Sequence, residues 1–337
     1  MNVLVPINHS KDIKSLAESG ADEFYVGFYE ASWDSNNKFF YDLNRMSGFE
    51  EDANHYSLAE LIEPIEEAHR LRKKIYVTLN AAYYNPDQLK KLHEYIQRLR
   101  AFNADGIIVS DIRVADICKQ EGIGVVASTM CGIYNTQILG TYARSGVKRV
   151  IVPRDVRLED MKRMIDAFPE IEFEVFMMRN GCKFSDSNCL GFHCYPHGAL
   201  CRTLKFSKRQ LCGTNHTFSL TQKFFFNDIM FKELYEHEAC GMCAIYDLIE
   251  MNVRTLKIVG RAAKQGEIAK SISIVKTNIA IAEQSSSRKE YLENMIFPSD
   301  TKTCLMGLSC YYPEIRFGIK GQMLDRCKVQ FTRDYTG

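Results

Sequence analysis

Residues 180–201 read NGCKFSDSNCLGFHCYPHGALC and hold four cysteines, Cys182, Cys189, Cys194 and Cys201, beside two histidines, in a stretch short of helix and strand formers. Thiolates gathered in this way bind soft metals, and the same thiols can pair as disulfides. Three chemistries therefore compete: a disulfide knot, a structural zinc site and an iron–sulfur cluster. The first residues lack a basic region ahead of an apolar core, and no run of about 18 apolar residues occurs, so the expectation is a cytoplasmic chain without membrane insertion. In a reducing compartment the 12 cysteines would not persist as disulfides, which weighs against the knot.

Spacing leaves the other two open. Cys240 and Cys243, in HEACGMC, supply a zinc-like CxxC pair, whereas the wider intervals from Cys182 to Cys189 and from Cys189 to Cys201 present single thiolates from separate turns, as the corners of a cubane require. Cys212 lies in the same long region. Cys118, Cys131 and Cys327 are scattered singly and read as small buried hydrophobes. Cys304 and Cys310, in CLMGLSC, leave room for a second metal site with Cys243.

The elements that would position these thiols come from periodicity. Short β-branched and aromatic runs alternate with amphipathic segments, which is a βα pattern. Strands are expected at Val3–Pro6, Glu23–Val26, Lys74–Leu79, Gly106–Val109, Gly124–Ala127, Arg149–Val152, Phe173–Met177 and Thr255–Val259. Helical stripes fall in KDIKSLAESG, SLAELIEPIEEAHRLRK and DQLKKLHEYIQRLRAF. Ser57 and Glu60 have capping-box spacing, and Gly20 and Gly146 stand where a left-handed helix exit is needed. Near-continuous apolar strands between helices predict a parallel sheet, and eight of them an α/β fold of the (β/α)8 TIM-like barrel type with a cysteine-rich insertion between strands seven and eight. No GxGxxG follows any strand, which disfavours an open dinucleotide-binding sheet. The barrel is expected over 1–285, the insertion over 180–250 and a C-terminal extension over 286–337. About 75 residues separate the last two strands, far too many for a connector.

Barrel chemistry sits at the C-terminal strand ends. Those positions are polar here: Asn8, His9, Tyr29, Asn80, Ser110, Asp111, Ser128, Asn135, Arg154, Asp155, Arg179, Asn180 and Arg261. Taken singly, Asn80 or Asp111 reads as a cap. Together they form a ring in which Asn80, Arg154, Arg179 and Arg261 are candidates to hold a small anionic substrate, since a guanidinium matches a carboxylate in bidentate geometry. The net charge of +1, with 46% hydrophobic and 25% charged residues, marks an ordinary globular chain without a broad basic footprint. HExxH and GxSxG are both absent, so nothing singles out a peptidase centre.

The segment EVFMMRNGCKFSDSNC, 174–189, resembles the signature of the collagenase-like peptidase family U32, in which a strand reading E-x-F leads through a turn into Cys-x6-Cys. ACGMCAIYDLIEMNVRTLKIVGR, 239–261, is similar to that family's cysteine, helix and "LKIEGR" strand. MNVLVPINHSKDIKSLAESGADEFYVGF and SGVKRVIVPRDVRLEDM resemble its opening and "GVxRVVLxRELSLxE" segments. The likeness runs over about residues 1–285. It implies a barrel carrying a [4Fe–4S] cluster on four cysteines and oxygen-independent hydroxylation of RNA bases or of a small molecule such as the ubiquinone ring, with prephenate as oxygen source. By position the ligands would be Cys182, Cys189, Cys201 and Cys240, with Cys194, Cys212 and Cys243 in reserve; Cys201 is taken as third for its preceding glycine and following arginine. The family's KIEGR reads KIVGR here, and its RxxNRG is missing, so branch and substrate stay open. So do a peptidase, as the family name suggests, and a non-catalytic cluster-binding subunit, with an RNA or protein partner and a homodimer or a heterodimer with a related subunit.

Overall fold

A computed structural model describes residues 1–30, 33, 43–46, 53–54, 56–179, 185–187, 189, 239–298 and 310–315. Eight parallel strands close on themselves: β1 (Asn2–Pro6), β2 (Glu23–Val26), β3 (Lys74–Leu79), β4 (Gly106–Val109), β5 (Val125–Ala127), β6 (Arg149–Ile151), β7 (Glu172–Met178) and β8 (Thr255–Ile258). Each pairs with its sequence neighbours, and β8 returns to β1 with Leu256 beside Val3. All eight expected strands are present within a residue or two of their expected bounds. Most of the expected insertion and much of the C-terminal extension lie outside the described residues.

Helices cover the outside: α1 (Asp12–Glu18), α2 (Ile62–Arg70), α3 (Pro86–Ala101), α4 (Ile112–Glu121), α5 (Thr136–Arg144), α6 (Leu158–Ala167), α7 (Ile245–Glu250), α8 (Gln265–Gln284) and α9 (Arg288–Asn294). Their starts follow local chemistry. Asn85 and Gln88 exchange side-chain to backbone bonds of 2.9 Å each, with Pro86 opening α3. Asp111 and Asn135 cap α4 and α5, so two residues of the polar ring serve the helices. At Ser57 only half of the expected box forms: Glu60 accepts from the Ser57 amide at 2.6 Å, and no side-chain cap opens the 3-10 turn Ala59–Leu61 ahead of α2. Gly20 and Gly146 take φ of +109° and +87°, as their positions required. No helix among the described residues is long and apolar enough to cross a membrane.

The interior differs from the apolar strands expected. Arg149 on β6 reaches Glu23 on β2 at 2.5 Å and Glu174 on β7 at 3.6 Å, while Lys257 on β8 bonds Glu174 at 2.8 Å. Strands two and six are opposite one another in the closed order, so the Arg149–Glu23 pair crosses the lumen. The rings of Tyr76 and Tyr25 lie against the two cations, with Arg149 Cζ 4.9 Å and Lys257 Nζ 4.1 Å from their centroids. Burial pulls the Lys257 ammonium down and the Glu174 carboxylate opposes it. This ionic layer floors whatever sits at the mouth.

Breaking a buried pair leaves its partner uncompensated, at a cost of about 3–5 kcal/mol. Arg149→Met is expected to lower stability by about that amount in urea unfolding at neutral pH, because Glu23 and Glu174 lose their shared cation. Lys162→Met, at an exposed pair on α6, is expected to shift it by no more than about 0.5 kcal/mol.

Candidate active site

Above the ionic layer, the C-terminal strand ends gather Asn80, Arg154, Arg179 and Arg261, the four residues expected to line the mouth. Their surroundings differ. Arg261, just past β8, is 5% exposed and donates to Thr78 Oγ1 at 3.0 Å, to Asn44 Oδ1 at 3.0 Å and to Asn54 Oδ1 at 3.3 Å. All three acceptors are neutral, and no carboxylate pairs with Arg261 among the described residues. Burial accordingly pulls its pKa down to about 10, against the opposing influence of Tyr25, and the group stays protonated at neutral pH. The guanidinium rests on Gly27, where a Cβ would overlap Arg261 Nη1 and Asn54 Oδ1. That close approach is why a side chain is excluded there.

Arg154 is bound instead by an internal carboxylate. Asp186, fully buried, accepts on Oδ1 from Arg154 Nη1 and from Arg45 Nη1, the latter at 2.7 Å. Burial alone would raise the Asp186 carboxyl, yet the two guanidiniums outweigh it and hold the group below the ordinary carboxylate range. Arg154 also stacks over Phe176, 4.1 Å from its centroid. Asn80 joins the group by accepting from the Arg45 amide at 3.2 Å and donating to Ser128 Oγ at 3.3 Å. Counting Arg45, Arg154 and Arg261 against Asp186, the described residues of this part of the mouth hold a surplus of positive charge.

Arg179 closes β7 in the left-handed region at φ +71°, unusual for a side chain of its size. Its amide donates to Ala239 O at 2.8 Å, its carbonyl accepts from the Tyr311 hydroxyl, and its guanidinium meets Glu267 at 2.8 Å. Here the chain leaves the barrel and, at Ala239 and Cys240, comes back to it. Tyr311, from the C-terminal segment 310–315, stacks on Phe176 with centroids 5.9 Å apart, so that segment walls the mouth beside β7.

Of the four expected cluster ligands, Cys189 and Cys240 are described, and each borders this cationic group. Cys189 donates its amide to Asp186 O at 3.2 Å and lies in the field of Arg45. Cys240 pairs by a β-bridge with Met178 and lies in the field of Tyr311, as do Arg154 and Asp186. Thiolate ligands carry negative charge and are favoured near guanidinium groups, so the surroundings of Cys189 and Cys240 suit thiolates. Cys182, Cys201, Cys194 and Cys212 lie outside the described residues. Cys243 is 5% exposed, on the 3-10 turn Met242–Ala244, and no three Cys, His, Asp or Glu side chains among the described residues group as metal ligands. Cys118 is fully buried, and burial pushes the thiols of Cys118 and Cys131 up to about 12, in keeping with structural roles. His69 and His93 are engaged by Asp105 and Glu121 at 2.8 and 2.6 Å.

Asn44, Arg45, Asn54, Asp186 and Tyr311 were not anticipated from the sequence. The first three come from the connection between Val26 and Ala59, whose length of about 30 residues was itself a signal of function. Asp186 stands inside the quoted cysteine block, where an isolated carboxylate was the available sign.

Gly27→Ala should unseat Arg261 without removing any charge. Calorimetric titration of a small dicarboxylate is expected to give about tenfold weaker binding than the unsubstituted protein, a loss of about 1.4 kcal/mol; equal affinity would show that Arg261 is not the seat.

Residues 8–308 match the family model described as Peptidase family U32. An uncharacterized protease of Methanocaldococcus jannaschii is 28% identical over 201 residues, 60% of this chain and 41% of that protein. The tRNA hydroxylation protein P of Helicobacter pylori strain J99 is 28% identical over 192 residues, 56% of this chain and 42% of that protein. The tRNA hydroxylation protein P1 of Bacillus subtilis is 25% identical over 338 residues, 94% of this chain and 73% of that protein. The matches to the first two cover less than half of those proteins' length. With the barrel in place and the family match running through strands, mouth and thiol-bearing segments alike, this chain belongs to peptidase family U32.

Proposed function

We propose that this chain takes part in oxygen-independent hydroxylation of RNA, with a [4Fe–4S] cluster on Cys182, Cys189, Cys201 and Cys240 and a small dicarboxylate of the prephenate kind as oxygen source. The observation that carries the reading is Arg261: a buried guanidinium at the mouth whose partners among the described residues are all neutral, beside two segments that bring thiols to the same rim. A buried charge without a counter-charge is costly, and its retention at a concave mouth points to an anionic ligand. Two relatives, named as tRNA hydroxylation proteins, support RNA as the substrate.

In this reading Arg261 takes a carboxylate of the donor, with Asn44 and Asn54 holding the guanidinium plane and Gly27 giving it room. The Arg45–Asp186–Arg154 group holds the segment bearing Cys189 against the mouth. Glu174, Lys257 and Tyr25 close the lumen below, so a ligand enters only from above and water is kept from the floor. When bound, the cluster supplies one-electron redox chemistry at this rim. With a net charge of +1, RNA is engaged through a base presented at the mouth and local polar contacts, without a broad basic surface.

Anaerobic reconstitution is expected to give about four irons per chain, as a cubane requires, and Cys182→Ala, Cys189→Ala or Cys240→Ala to lose the cluster while Cys118→Ala keeps it. A protein that takes up one zinc and no iron contradicts the cluster. Arg261→Gln is expected to weaken dicarboxylate binding by at least tenfold, and Arg261→Lys to restore only part of it, because an ammonium cannot reproduce the fork; unchanged binding in both contradicts the anion seat.

A further inference from the structure

Cys310 lies in the C-terminal segment, outside the expected ligand set, yet it pairs directly with Cys240 in a parallel β-bridge. Neighbouring strands run about 4.8 Å apart, within the roughly 4.4–6.8 Å between Cα atoms that a disulfide spans. Partners in one bridge project to the same face of the ladder. The register is locked from three sides: the Tyr311 amide donates to Cys240 O at 3.1 Å, the Tyr311 hydroxyl to Arg179 O, and the Tyr312 hydroxyl to Phe176 O at 3.4 Å. The Tyr312 ring lies so close over Gly241 that a Cβ there would come within 2.6 Å of it. Cys240 and Cys310 are both partly exposed thiols, whereas Cys243 and Cys118 are buried.

We propose that Cys240 and Cys310 are a redox pair that closes to a disulfide when the chain carries no cluster and meets a peroxide. One thiol loses its proton and attacks a peroxide oxygen as the thiolate; the departing hydroxide takes up a proton, giving a sulfenic acid and one water. The second thiol attacks that sulfur and expels a second water, so the two sulfurs surrender two electrons and the peroxide is reduced. Partial exposure makes such a bond reversible by an external thiol. The bond itself is independent of the cluster assignment; its consequence rests on that reading, since oxidation would withdraw Cys240 from the ligand set and reduction would return it.

The test uses cluster-free full-length protein treated with limiting hydrogen peroxide, then alkylated and digested with trypsin without reduction. Peptides 233–254 and 303–316, which carry Cys240 with Cys243 and Cys304 with Cys310, are expected to appear joined and lighter by two hydrogens. The double variant Cys243→Ser with Cys304→Ser should keep the joined species, assigning it to Cys240 and Cys310, and Cys310→Ser should lose it. Oxidised unsubstituted protein is expected to take up iron only after reduction, and never-oxidised Cys310→Ser to take up as much iron as the reduced unsubstituted protein. A link that disappears in the double variant, or a sulfenic acid trapped at Cys240 beside an unmodified Cys310, overturns the pair. Absence of iron uptake by every reduced form would instead overturn the cluster reading, while the peptide result still decides the bond.

Discussion

Closing eight strands into a barrel drives every second side chain into one lumen, and the charges placed there must cancel. Arg149 meets this constraint with Glu23 and Glu174, and Lys257 with Glu174. A low-dielectric interior makes each of these pairs strong and each broken pair costly, so the cations of the lower lumen are matched by carboxylates. That pairing gives the mouth above it meaning: Arg149 and Arg261 are 4% and 5% exposed, yet carboxylates pair with the first and none among the described residues with the second. The same residue type, equally buried, is thus matched by carboxylates in one layer and held by two amides and a hydroxyl in the next.

The rim is assembled from distant parts of the chain. Asp186 draws Arg45 and Arg154 together, Arg179 is held in a strained conformation by Ala239 and Tyr311, and the bridge from Cys240 to Cys310 ties the C-terminal segment to the point where the chain re-enters the barrel. Strain of this kind persists where surrounding contacts over-determine it. The two described segments that bring thiols to the mouth are fixed by different devices, an ion-pair group for Cys189 and backbone bridges for Cys240.

Strands were legible because β-branched runs between glycines and polar turns have few other uses, and the ring of strand-end residues followed from barrel geometry. The charged lumen was less visible: EFEVFMM on β7 alternates, but its buried Glu174 pairs with Arg149 and Lys257, which lie on other strands. Contacts such as Arg261 with Asn44, separated by 217 residues, leave no local pattern. Asp111 and Asn135 show the converse case: Asp111, which taken singly reads as a cap, and Asn135 both serve as caps here. At the strand ends Arg154 and Arg179 pair with Asp186 and Glu267, partners that could be found only in three dimensions.

The role proposed for this mouth is oxygen transfer to RNA. Mass spectrometry of nucleosides from the total RNA of anaerobically grown cells, with and without the gene for this chain, tests it most directly. A nucleoside one oxygen atom heavier than its parent is expected to vanish on deletion, to return with the unsubstituted chain and to stay absent with Arg261→Gln. An unchanged set of hydroxylated nucleosides on deletion would contradict the account.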